Sequence, residues 1–96
     1  MPKTLKNRPS LSGIDTTFHG LQHWYQSKFE QLGWMILAKQ QGMMDKVMSY
    51  ENGVKRLHAA IIYKIKLMRD KDKKADLVIM KSNVEVLLAH IARDFA

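Results

Sequence analysis

Apolar residues in the second half of this chain recur at helical spacing almost without interruption, and that restricts the fold more than any other feature. Leu77, Met80, Val84, Leu87 and Ile91 follow one another at intervals of three and four, and Val47, Val54, Ile61 and Met68 recur every seven residues. An α-helix gathers such positions onto one face, whereas a strand would scatter them over both. Residues 43–95 are therefore expected to form two amphipathic helices joined by the charged hinge Asp70-Lys71-Asp72-Lys73-Lys74. Regular seams of this kind bury helix against helix and leave little room for an enzyme cleft.

The first half supplies a third helix. Phe18, Leu21, Tyr25, Phe29, Leu32 and Ile36 form an apolar stripe, so helix 1 is expected from about Thr17 to Gln41. Asp15, Thr16 and Thr17 offer side-chain oxygens to its unpaired first-turn amides, and Gly42 fits a left-handed cap at its end. Helix 2 is expected from about Met44 to Arg69. Its Asn52-Gly53 dipeptide often marks a turn, but the seven-residue series passes through it in phase, which favours one continuous helix. Helix 3 is expected from about Lys73 to Asp94, capped by Asp72. Short connections force neighbouring helices antiparallel, so the fold class is all-α, an up-down-up three-helix bundle spanning residues 15–96. Residues 1–14, with two prolines, a glycine and no periodicity, predict a flexible basic arm.

Ninety-six residues suffice for one small domain, and the absence of cysteine removes disulfides and thiolate metal sites. The longest apolar run, Gly33 to Ala38, is far short of the ~20 residues that span a bilayer. The basic N-terminus is not followed by the apolar stretch of a secretory signal. These features predict a soluble intracellular protein, cytoplasmic or nuclear, without a membrane partner.

The net charge of +7 is concentrated. Residues 1–14 carry Lys3, Lys6 and Arg8 with no acid, and residues 55–74 carry eight bases against Asp70 and Asp72, while the other two stretches are each slightly acidic. On a continuous helix at ~100° per residue, Lys55, Lys66, Arg69 and Lys73 fall near one line bordering the core seam of Leu57, Ile61, Ile65 and Met68, extending ~27 Å. Such a stripe with the arm suits the backbone of DNA or RNA, because Lys and Arg neutralise phosphates and release condensed counterions. The plain alternative is a solvated face that keeps a small protein soluble. No pattern for base-specific readout accompanies it.

Helix 1 carries more apolar surface than one stripe needs. Trp24, Tyr25, Phe29 and Trp34 lie within eleven residues and run on into Met35, Ile36, Leu37 and Ala38. Trp24, Trp34, Met35 and Leu37 are the candidate interface residues, for self-association or for a protein partner, with Gly33 permitting close backbone approach. Burial of this helix deep in the fold is the alternative. His19 and His23, four apart, could share a metal, but no further ligands are evident, and two exposed histidines are the favoured reading. No acid–base pair, nucleophile–histidine spacing or Gly-rich phosphate loop is present, so neither catalysis nor a cofactor is expected.

The segment Gly20-Leu21-Gln22-His23-Trp24-Tyr25-Gln26-Ser27-Lys28-Phe29-Glu30-Gln31-Leu32-Gly33-Trp34-Met35-Ile36-Leu37-Ala38-Lys39 resembles small uncharacterised helical proteins encoded by large double-stranded DNA viruses and phages of aquatic hosts. The similarity extends through Lys55-Arg56-Leu57 and the hinge, over about residues 17–95. It implies a viral accessory or virion-associated setting and transfers no functional residue. The expected function is non-enzymatic: a helical module that docks or self-associates through helix 1 and touches an anionic partner through the basic face. A protein-interaction or virion-structural role without nucleic acid is the alternative.

Overall fold

The computed structural model describes residues 17–94 and contains four helical segments: α1 (Phe18–Glu30), α2 (Leu32–Gln40), α3 (Met44–Leu67) and α4 (Lys71–Asp94). The architecture is the expected all-α, up-down-up bundle, with its first helix broken in two. Pairings fix the directions. His58 on α3 meets Glu85 on α4, and the two helices are joined end to end by residues 68–70, so they run antiparallel. Tyr25 on α1 meets Asn83 on α4 while Phe18 lies beneath Lys73, so α1 and α4 run parallel. Residues 1–14, the expected arm with Lys3, Lys6 and Arg8, lie outside the described residues.

Helix α1 starts where Thr17 takes an extended conformation and its Oγ1 accepts the Gly20 amide at 3.0 Å. It stops ten residues before the expected end, at Gln31. The cause is a side chain from α3. The Tyr50 hydroxyl donates to the Lys28 carbonyl at 2.6 Å, the carbonyl that an unbroken helix would offer to the Leu32 amide. A group inserted into the backbone ladder bends a helix, and Gly33 just beyond makes the bend easier. The inward face follows Leu21, Trp24 and Tyr25 before the break and continues in step after it, offset from the expected stripe. Leu32, Met35 and Ala38 pack on the core, while Ile36, expected on the stripe, is exposed, as is Phe29 just before the bend.

Gly42 ends α2 with φ +77, as the left-handed cap requires. The Met43 amide reaches the Ala38 carbonyl at 2.8 Å and the Gly42 amide reaches that of Lys39 at 3.0 Å, the paired bonds of a Schellman motif. Helix α3 then runs unbroken through Asn52-Gly53. A Cβ at Gly53 would sit 2.6 Å from the Lys28 Nζ, so this glycine makes room for a lysine stem from α1. The bundle turns between α3 and α4 two residues earlier than expected. Met68 is already extended, and Asp70 rather than Asp72 is the cap, its Oδ1 accepting from the amides of Asp72 at 2.9 Å and Lys73 at 3.2 Å.

The core lies between α3 and α4, with α1 laid across them. Val47, Val54, Leu57 and Ile61 from α3 meet Leu77, Val84, Leu87 and Ile91 from α4, all at most 2% exposed. Ile65 and Met68, expected in the same seam, are half-buried at its end. Each fully buried aliphatic side chain contributes roughly 1.5–3 kcal/mol, so this seam dominates the fold's stability. Leu21 is the only α1 side chain that is fully buried, and Ala38 the only buried one on α2. Helix α2 touches α3 and α1 but not α4, and projects as a shoulder beside the start of α3.

Candidate nucleic-acid interface

The end of α3, the link and the first turn of α4 bring six bases together within eleven residues: Lys64, Lys66, Arg69, Lys71, Lys73 and Lys74. All but Lys64 are exposed. Two acids, Asp70 and Asp72, interrupt the series, and the Asp70 carboxylate is occupied in capping α4. Among the described residues none of the six bases has a carboxylate oxygen within 4 Å. The positive charge of this pole is therefore open to an external anion.

Sequence periodicity treats this surface as one helical stripe; the structure makes it a pole. Because α3 ends at Leu67, Arg69 sits in the link and Lys73 belongs to the antiparallel α4. Lys55 lies eleven residues back along α3 from Lys66, about 16 Å away at 1.5 Å per residue. It is also paired with Glu51 at 3.5 Å. Lys66, Arg69 and Lys73 thus cluster at one end, with Lys71 and Lys74 beside them, and Lys55 stands apart. Lys73 Nζ sits 5.7 Å from the centre of the Phe18 ring. The start of α1 is therefore at the same pole, and the chain bearing Lys3, Lys6 and Arg8 joins the bundle there.

The opposite end is apolar. Of the expected interface residues, Trp24 and Met35 are half-buried against the core, whereas Trp34 is 70% and Leu37 43% exposed. Ile36, Met43, Met44 and Met48 continue the exposed surface around the α2 shoulder. A Cβ at Gly33 would meet open space, so within this chain nothing uses the close approach that glycine permits.

An open cleft of about 410 Å³ lies between the α1–α2 bend and α3, with Lys28, Lys46, Ser49 and Trp34 among its walls. The Lys28 stem is half-buried and its Nζ lies 5.2 Å from the Tyr50 ring centre. Burial, and behind it the Arg56 guanidinium, pulls the Lys28 ammonium below its ordinary pKa. Burial also pushes the Tyr50 phenol up to about 12.

A pairing between α3 and α4 escapes a reading by spacing alone. His58 Nε2 lies 2.9 Å from Glu85, which also holds Lys81 at 2.8 Å. The Lys81 and His58 hydrogen bonds lower the Glu85 pKa. His19 and His23 are both exposed, and among the described residues no three His, Asp or Glu side chains are placed to hold a metal ion. No helix among the described residues is long and apolar enough to cross a membrane. No family model, curated protein or solved structure matches the chain.

Proposed function

We propose that this protein is a non-enzymatic helical binding module that grips a nucleic-acid backbone with its basic pole and docks on a protein through its α2 shoulder. The observation that carries this reading is the set of six bases at the α3–α4 link with no carboxylate partner among the described residues. Surface cations on a small domain are usually interspersed with acids; a segregated set favours a polyanion. Lysine and arginine contact phosphates without reading bases, so the binding is sequence-independent. The resemblance of residues 17–95 to small viral helical proteins supports an accessory or virion-associated setting.

Fluorescence anisotropy on a labelled DNA duplex across a salt series tests the proposal. If the five exposed bases of the pole each neutralise one phosphate, log affinity falls against log salt with a slope of about −4 to −5, and steeper if the arm adds contacts. Replacing Lys66, Arg69 and Lys73 together with Glu should abolish binding while the helical circular dichroism persists. Lys55→Glu should change affinity little. Equal loss from Lys55→Glu and from the triple replacement would overturn the placement of the site. No binding at low salt would favour the second reading, a protein-interaction module without nucleic acid. Its own support is the Trp34, Leu37 and Met48 exposure on the shoulder, since contiguous apolar surface marks interfaces.

A further inference from the structure

The groove between α1 and α3 holds a half-buried ammonium that no anion answers. Lys28 leaves α1, and its Nζ rests beside Gly53 of α3, 2.6 Å from where a Cβ there would stand. Its nearest partner is the face of the Tyr50 ring, 5.2 Å from the centroid. Among the described residues no carboxylate oxygen lies within 4 Å of it, and no acceptor takes a hydrogen bond from it. A cation taken out of water without a counter-charge is costly. Burial and the Arg56 guanidinium both lower its pKa accordingly. The acids nearby face elsewhere. Glu30 and Glu51 each stand two residues, hence about 160°, around their helices from Lys28 and Gly53, and Glu51 holds Lys55 at 3.5 Å. Asp45, exposed in the first turn of α3, has no base within 4 Å.

We propose that the open cleft beside Lys28 binds a nucleotide, with its phosphate between Lys28 and Lys46 and its base against Trp34. Lys46 stands two turns along α3 from Gly53, about 10 Å of rise, and Ser49 lies between them on the same side of the helix. Lys46 is exposed and likewise has no carboxylate oxygen within 4 Å among the described residues. Both lysines and Ser49 wall the cleft of about 410 Å³ together with Gln31 and Trp34. The wall therefore presents two ammoniums and a hydroxyl to one space. A phosphate suits it, because its several oxygens accept from donors arriving on both sides and its charge supplies what Lys28 lacks. The indole of Trp34 is 70% exposed, and an exposed indole stacks on any base, since every base has a π-face. The volume falls within the ~300–1,000 Å³ usual for small-ligand pockets. The same chemistry arrives as a free nucleotide or as the phosphorylated end of a strand. The cleft lies along the first half of α3, away from the basic pole, and does not depend on what that pole binds.

Titration of the full chain with adenosine monophosphate, followed by equilibrium dialysis and tryptophan fluorescence, tests the site. Saturable binding that quenches Trp34 is expected. Adenosine, which lacks the phosphate, should bind at least roughly 10-fold more weakly, and Lys28→Met and Lys46→Met should each weaken the nucleotide by a similar factor. Lys28→Met keeps its stem over Tyr50, and Lys46 is exposed, so at least one of the two variants tests the site in a folded chain, as circular dichroism checks. Trp34→Ala should weaken binding and remove the quenching. Joint replacement of Lys66, Arg69 and Lys73 by Glu should leave nucleotide affinity unchanged, which separates failure of this site from failure of the pole. A short oligoadenylate phosphorylated at its end, titrated into that pole variant, reads the source. Tighter binding than the mononucleotide, lost in Lys28→Met, assigns the cleft to a strand end; weaker binding assigns it to the free nucleotide. No binding of either, equal affinity for adenosine and its monophosphate, or full affinity in both lysine variants would each overturn the proposal.

Discussion

Replacing Tyr50 by Phe removes one oxygen atom and tests the reason the first helix breaks. The ring is 3% exposed, and the substitution keeps its packing and its contact with the Lys28 stem. What disappears is the 2.6 Å hydrogen bond to the Lys28 carbonyl. An intramolecular hydrogen bond contributes about 0.5–1.5 kcal/mol net, and a buried acceptor left without a donor costs about 1–3 kcal/mol. Here the Leu32 amide lies one helical turn on and can take the vacated carbonyl, so the loss should sit near 1 kcal/mol. For a domain of this size that lowers Tm by about 4–8 °C. Thermal melts followed by circular dichroism measure the loss, and hydrogen exchange at the Leu32 amide measures the reclosure as slowed exchange. An unchanged Tm with unchanged exchange at Leu32 would show that the hydroxyl does not hold the bend and that Gly33 alone accounts for it.

The same variant has a signature in alkali. Tyr50 ionises only near about 12 in the folded chain, against an ordinary value of 10.0. Between those values the unfolded chain has released the phenolic proton and the folded chain still holds it. Stability from this group is therefore complete below pH 10 and is lost as the pH rises toward 12. Lysines titrate in the same window, so the informative quantity is the difference between the parent chain and Tyr50→Phe. That difference should shrink with rising pH; two parallel stability curves would refute the assignment.

Two glycines, Gly33 in the first turn of α2 and Gly42 just past its end, should respond with opposite signs to alanine. Gly33→Ala places a methyl group in open space within a helix and should stabilise by about 0.5–1 kcal/mol, whereas Gly42→Ala forces a side chain into φ +77 and should cost about 1–2 kcal/mol; paired urea melts give both. Lys28→Met keeps the apolar stem over Tyr50 but removes an ammonium that is desolvated and beside Arg56, so Tm should equal or exceed that of the parent chain. A clear fall in Tm would mean that the charge itself stabilises the bend.

The sequence shows the α3–α4 core almost completely because both helices bury a single seam with regular spacing, and Leu77, Met80, Val84, Leu87 and Ile91 are all buried as their periodicity requires. Helix 1 was legible only to its bend. Its ladder is interrupted at Gln31, where a hydroxyl 22 positions away in the chain takes the Lys28 carbonyl, and no local pattern contains that contact. The basic surface was legible as a cluster and not as a shape. Helical arithmetic carried past Leu67 lines Lys73 up with Lys66, but α3 has ended there and the chain reverses through residues 68–70 before Lys73, so the angle no longer applies.

The outer seam of α4, where Ala75, Val78, Ile79, Ser82, Val86 and Ala89 are all exposed, escaped for a different reason. Periodicity identifies a face by the residues that share it, and on α4 the long aliphatic residues of the core seam set the phase. Ala, Ser and the β-branched residues opposite them then read as tolerable exceptions on a solvent face. Geometry gives them another meaning. A three-helix bundle offers α4 neighbours on one side only, here α3 and α1, so it can bury one of two seams set about 160° apart and never both. Solvation would account for an outer face rich in Lys and Glu, but not for three β-branched side chains about half-exposed in a line free of charge over four turns.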